Sequence, residues 1–211
     1  MYAIINAEMI YLDYAATSPL LPEVREAMHR AEERFFANAS ALHTPGHLAM
    51  NEVERARELL AKLIGAEPGE IIFTSGASES NNAVIRTFEG HQIETSPLEH
   101  HSIIEVARLR RGDKLPKLYS YMLANNETGE ILDLTEVAKK ANKDAVVDCP
   151  EMFEVKNDWG KPLVTVKNGG YVHSDLTQAL GKIPLDVKAL GADYATFSAH
   201  KIGGPGGVGA V

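Results

Sequence analysis

The stretch Tyr194-Ala-Thr-Phe-Ser-Ala-His-Lys-Ile-Gly-Gly-Pro-Gly-Gly207 decides how the rest of this 211-residue chain is read. Tyr194 to Ser198 has the composition of a short buried strand, Lys201 follows it directly, and a glycine-rich loop pins what comes after. A lysine held at a strand end is placed to form a Schiff base with an aldehyde cofactor. Read alone, the segment also fits a solvated lysine beside a glycine turn. What the remaining sequence brings to that lysine decides between the two.

Outward from Lys201, short apolar runs alternate with helical periods. Glu70 to Thr74, Ile93 to Ser96, Leu118 to Leu123, Tyr171 to Ser174 and Val208 to Val211 read as strands. Pro22 to Arg34, Met50 to Gly65, Glu79 to Thr87, His101 to Arg110 and Leu134 to Ala141 read as helices. Such alternation predicts an α/β fold of three layers, α/β/α, around a mostly parallel sheet. Residues 149–170 read differently: Val155, Val164 and Val166 flank an Asn-Asp-Trp-Gly turn signal, which predicts a hairpin insertion.

Several segments carry chemistry-bearing residues to predicted strand ends. In Phe73-Thr-Ser-Gly-Ala-Ser-Glu-Ser-Asn-Asn82 a strand hands over to a helix, so the N–H groups of Ala77 and Ser78 would point at an anion with the helix dipole behind them. A plain serine cap with a tight turn fits the same residues. Asp175 ends an apolar strand and projects into the crevice where α/β proteins bind ligands, or else caps the following turn. Paired with a pyridine nitrogen, its carboxylate would keep that nitrogen protonated, and Gln178 three residues on could reach a ring oxygen. His100 could lie flat on such a ring and serve as a nearby acid or base. Its neighbour His101 does not make a metal pair with it, because consecutive side chains point apart and no second cluster has ligand spacing, so no metal is expected. Asn126 becomes a candidate for the same crevice through its place after the strand ending at Leu123.

Composition removes other classes. A formal net charge of −8 argues against nucleic acid, whose binding rests on clustered Lys and Arg. No apolar run approaches the ~20 residues that cross a bilayer, so no membrane is expected. The one cysteine, Cys149, permits neither an intrachain disulfide nor a Cys-rich metal cage. With no secretory pattern in Met1 to Met9, the expected location is cytoplasmic.

Taken in order, six motifs resemble the cysteine desulfurases of iron–sulfur cluster assembly, a group of the class V aminotransferases with the pyridoxal-phosphate-dependent transferase fold type I. They are Tyr11-Leu-Asp-Tyr-Ala-Ala-Thr17, Phe73 to Asn81, Ser96-Pro-Leu-Glu-His-His101, Asn125-Asn-Glu-Thr-Gly129, Asp175-Leu-Thr-Gln178 and Phe197 to Gly204. The resemblance implies pyridoxal 5'-phosphate as cofactor, with Lys201 and His100 as catalytic residues. It places Asp175 on the pyridine nitrogen, Gln178 and Asn126 near the ring hydroxyl, and His100 on the ring face. Ala77, Ser78, Ser198 and His200 would hold the phosphate. It implies L-cysteine as substrate, with its sulfur leaving as a persulfide and alanine released, and a homodimer or a partner chain supplying a missing half.

The resemblance also implies that residues 1–211 are an incomplete large cofactor-binding domain, with the small C-terminal domain and its nucleophilic cysteine lacking. Cys149 matches no family nucleophile. Two other readings therefore stand beside the desulfurase: a non-catalytic truncated paralogue serving as a cofactor-binding or dimerisation module, and a selenocysteine lyase or carbon–sulfur lyase. Spacing departs as well. His100 to Asn126 is 26 residues, short against the family, and Asn126 to Asp175 is 49, long by a similar amount, which predicts a rearranged sheet.

Overall fold

A computed structural model describes residues 10–144 and 169–211, and shows the three-layer α/β/α arrangement that the alternation predicts. Its helices are α1 (Pro22–Arg34), α2 (Thr44–Ile64), α3 (Ala77–Thr87), α4 (His101–Arg110), α5 (Leu134–Lys143) and α6 (Val187–Leu190). Its strands are β1 (Phe73–Thr74), β2 (His91–Thr95), β3 (Lys114–Ser120), β4 (Tyr171–Asp175), β5 (Tyr194–Ser198) and β6 (Gly209–Ala210). They form one sheet in the order β1-β6-β5-β4-β3-β2. Neighbours from β2 to β5 run parallel, and β6 runs antiparallel to both β5 and β1. The C-terminal ends of β1 and of β2 to β5 therefore open on one edge, where α/β sheets bind ligands.

Side-chain alternation separates the two helical layers. Leu118 packs with Val84, Ile85 and Ile103 of α3 and α4, whereas its neighbour Tyr119 packs with Ala138 and Ala141 of α5 on the opposite face. A third cluster joins Ile64 of α2, Leu134 of α5, Leu176, Val187 of α6 and Phe197. Ile85, Ile103, Leu118, Leu134 and Leu176 are each fully enclosed, which stabilises the fold by roughly 1.5–3 kcal/mol per side chain.

Differences from the expected elements have local causes. α2 begins at Thr44 rather than Met50, because the His43 ring accepts the Gly46 N–H at 3.2 Å and Pro45 suits a first turn. It ends, as expected, on Gly65, whose φ of 76° is the left-handed cap. The expected strand from Glu70 shrinks to Phe73–Thr74, because Pro68–Glu70 closes a 3-10 turn with Glu67 and Glu70 capping each other. β3 starts earlier than expected and stops at Ser120, after which the chain turns into the cleft. α6, one turn between Asp186 and Gly191, carries too few residues to show a period. The expected hairpin at 149–170 and Cys149 lie outside the described residues, apart from Gly169 and Gly170.

Candidate functional site

At the C-terminal edge of the sheet lies a cleft of about 800 Å³, and every residue expected from the sequence lines it: Ala77, Ser78, His100, Asn126, Asp175, Gln178, Ser198, His200 and Lys201. They arrive from separate elements. Ala77 and Ser78 open α3, His100 caps α4, Asn126 sits in the turn after β3, and Asp175 ends β4. Gln178 follows β4, Ser198 ends β5, and His200 and Lys201 form the 3-10 turn behind it.

Lys201 is held by the chain that precedes α1. Its Nζ donates to the carbonyl oxygens of Ala15 at 2.9 Å and Ala16 at 2.5 Å. The Gln178 amide donates to the same Ala15 oxygen at 2.8 Å and receives Lys182 Nζ on its own oxygen. Ser18 is bonded on both sides of this turn, its N–H to the His200 carbonyl at 2.8 Å and its hydroxyl to the Lys201 carbonyl at 2.9 Å. Burial, and after it the Lys182 ammonium, pulls the Lys201 amine below the ordinary lysine range, while Asp13 and Asp175 act in the other direction. An amine so placed gives up its proton more readily and is a better nucleophile. Burial and then Lys201 lower the His200 imidazole, whose Nδ1 lies 3.1 Å from Thr17 Oγ1.

Opposite Lys201, the first turn of α3 presents N–H groups to the cleft. The Glu79 carboxylate is folded back onto Ser75, taking its N–H at 2.7 Å and its hydroxyl at 2.6 Å, which fixes the turn ahead of Ala77 and lowers the Glu79 carboxyl. His100 accepts the Ser102 N–H on Nδ1 at 3.2 Å and meets the Ser102 hydroxyl at 2.8 Å. Its Nε2 is left as the ring nitrogen able to hold or move a proton at the cleft. Asn125 accepts the N–H groups of Glu127 and Thr128, at 2.8 and 2.9 Å, so the Asx turn it makes carries Asn126 to the cleft wall.

Asp175 forms the floor, 8% exposed, with Oδ1 accepting the Thr177 N–H at 3.0 Å and Oδ2 accepting Asn81 Nδ2 at 2.9 Å. Sequence reasoning passed over Ala15 and Ala16, which act through carbonyls common to any residue, and over Thr177, although it lies inside a quoted motif. It also passed over Glu99, buried behind His100. There the Met122 N–H satisfies one oxygen at 2.9 Å and burial pushes the carboxyl up to about 8. Among the described residues no group of His, Cys, Asp and Glu has the makings of a metal site, and no helix is long and apolar enough to cross a membrane.

The aminotransferase class-V family model matches residues 10–115 and 162–211. The stretch it passes over holds the departure in spacing noted above. The chain is similar to cysteine desulfurase IscS of Dictyoglomus turgidum, 37% identical over an alignment of 215 positions that covers 96% of this chain and 53% of that protein. Its structure resembles that of a NifS-like protein from Rickettsia africae, with a TM-score of 0.78 and 30% identity over 96% of this chain and 57% of the other. It also resembles SspA in complex with cysteine, with a TM-score of 0.77 and 28% identity over 96% of this chain and 60% of that one. The chain spans about half the length of the curated relatives it matches.

Proposed function

Because this chain belongs to the aminotransferase class-V family, we propose that its cleft binds pyridoxal 5'-phosphate on Lys201 and serves cysteine desulfurase chemistry on L-cysteine. The observation that carries the reading is convergence: an amine of lowered basicity, a buried carboxylate and the N-terminus of α3 face one another across one cleft. The residues fit the cofactor in a further respect. Thr177 lines the cleft, and its buried hydroxyl has no hydrogen-bond partner among the described residues. A buried hydroxyl left this way costs about 1–3 kcal/mol, which rotation of the side chain toward a polar ring seated over Asp175 would recover.

In this reading Lys201 would hold the aldehyde carbon, Asp175 would meet the ring nitrogen, and Gln178 and Asn126 would lie on the side of the ring hydroxyl. Ala77, Ser78, Ser198 and His200 surround the phosphate. When bound, the cofactor supplies an electron sink for the carbanion formed at the substrate α-carbon. His100 covers the ring and moves a proton at substrate through Nε2. Ala15 and Ala16 hold the Lys201 amine in place through their carbonyls. L-cysteine is favoured as substrate by the likeness to desulfurases and to a cysteine complex. The likeness to IscS desulfurases also favours a cytoplasmic homodimer.

The test is to add pyridoxal 5'-phosphate to the purified chain, reduce with borohydride and map the modified peptide. Label confined to Lys201 is expected, and label scattered over surface lysines overturns the reading. Alanine release from L-cysteine then reports turnover.

A further inference from the structure

Beneath the cleft floor runs a buried polar chain that none of the roles above uses. Alternation along three parallel strands creates it: Ser120, His173 and Thr196 each lie two residues beyond an apolar residue, Leu118, Tyr171 or Tyr194, on the face covered by α3 and α4. Ser120, His173, Thr196 and Asn81 of α3 are all fully enclosed. Ser120 Oγ lies 2.8 Å from His173 Nδ1, His173 Nε2 lies 3.3 Å from Thr196 Oγ1, and the Thr196 hydroxyl donates to Asn81 Oδ1 at 2.5 Å. Asn81 Nδ2 then donates at 2.9 Å both to Asp175 Oδ2 and to Ser102 Oγ, the hydroxyl that meets His100.

Donor counting gives the chain one direction. Thr196 has a single hydroxyl hydrogen, and with that given to Asn81 it receives from His173, whose proton therefore sits on Nε2 and whose Nδ1 takes the Ser120 hydroxyl. Burial agrees, holding the His173 imidazole down to about 4 and so neutral. The carboxamide is thereby locked in one orientation. Flipped, it would set an oxygen against the Asp175 carboxylate, and Thr196, His173 and Ser120 would all have to reverse their hydrogen bonds to follow.

We propose that Asn81, locked by Thr196 and His173, is a positioning residue that aims the Asp175 carboxylate at the ring nitrogen of the cofactor. The inference rests on the reading of Asp175 given above. Thr177 N–H and Asn81 Nδ2 grip the two carboxylate oxygens from different elements, so the group has one orientation to offer. Loss of a hydrogen bond to a charged group at this point costs about tenfold in whatever the carboxylate binds.

The test is the ratio of two dissociation constants, measured by calorimetry on the full chain: pyridoxal 5'-phosphate against its analogue with a C–H in place of the ring nitrogen. General damage to the fold weakens both ligands alike, and misaimed Asp175 weakens only the first. The unaltered chain is expected to prefer the natural cofactor, Asn81→Leu to lose about tenfold of that preference, and Thr196→Val, which keeps shape and deletes the lock, to lose about threefold. Ser80→Ala is the control: equally buried on α3 but bonded to Thr74, it is expected to leave the ratio unchanged. If Asn81→Leu does not fold, Thr196→Val carries the test. An unchanged ratio in the folded variants overturns the inference and leaves the cofactor reading standing. No preference in the unaltered chain, or no attachment at Lys201, overturns both.

Discussion

The cleft floor and the N-terminal helices of this chain are built on opposite terms. Around Asp175 every strand-end side chain is enclosed or bonded, down to Ser120, His173 and Thr196 at essentially zero exposure. In α1 no residue is buried, and Leu12, Phe36 and Leu42 nearby are 80–92% exposed. α2 shares both characters, since Ala61 and Ile64 at its end join the core while Leu59 and Leu63 face outward. The comparison teaches that the groups expected to do chemistry are carried by the sheet, α3 and α4, with the N-terminal segment contributing hydrogen bonds that hold Lys201, Gln178 and His200 in place.

The sharpest way to break that contrast is at Lys201 itself. Lys201→Ala is expected to abolish covalent fixation of the cofactor by borohydride while leaving the fold intact, with intact mass and circular dichroism as the measurements. Next in size is a matched pair of deletions. Leu176→Ala, at a fully enclosed position below the cleft, is expected to cost about 4 kcal/mol in a urea titration. Leu59→Ala, at 54% exposure, is expected to stay within about 0.5 kcal/mol. Equal costs would mean that α2 is covered in solution, and the contrast between the two regions would fail.

Glu99 offers a third test, through pH. Its carboxyl is raised from an ordinary 4.5 to about 8 by burial, so the folded chain keeps a proton that the unfolded chain releases above pH 4.5. The stability this contributes is complete below that point and is lost as pH rises through 8. Glu99→Gln is neutral in both states and escapes the loss, so it is expected to gain on the parent chain from pH 5 to pH 8, by on the order of 3 kcal/mol at the upper end. His173 titrates with the opposite sign, its neutral form becoming costly as pH falls from 6.5 towards 4, but it is present in both proteins and cancels. Parallel stability curves would show that Glu99 is solvated.

The same contrast explains what was legible in the sequence. Lys201, Asp175, Ala77 and His100 could be read because each sits where a short apolar run ends or a helix begins, and parallel strands bring all such points to one edge. Asn126 followed from that rule although the family model does not match residues 116–161. Asn81 could not be read this way. It lies in mid-helix, and its meaning depends on the register that sets His173 against Ser120 and Tyr194, which no local pattern encodes. The strand expected from Glu70 starts later because the reciprocal Glu67 and Glu70 caps draw Pro68–Glu70 into a 3-10 turn, so only the end of the apolar run Ile71-Ile-Phe73 enters the sheet.

The smallest effect probes the seam between the two regions. The N-terminal segment is pinned to the Lys201 turn by the bonds of Ser18 and by the Leu21 N–H on the Gly203 carbonyl at 2.9 Å. Ser18→Ala removes one neutral, partly buried hydrogen bond and nothing else, which is worth about 1 kcal/mol. Opening of the segment is then expected to rise about fivefold, seen as faster hydrogen exchange at Leu21, while amides of β4 and β5 keep their protection. Ala15 and Ala16 ride on that segment, so Lys201 fixation is expected to slow by a similar small factor without losing its selectivity. If exchange in β5 quickened equally, the segment and the cleft floor would open as one unit, and the division drawn between them would be wrong at this seam.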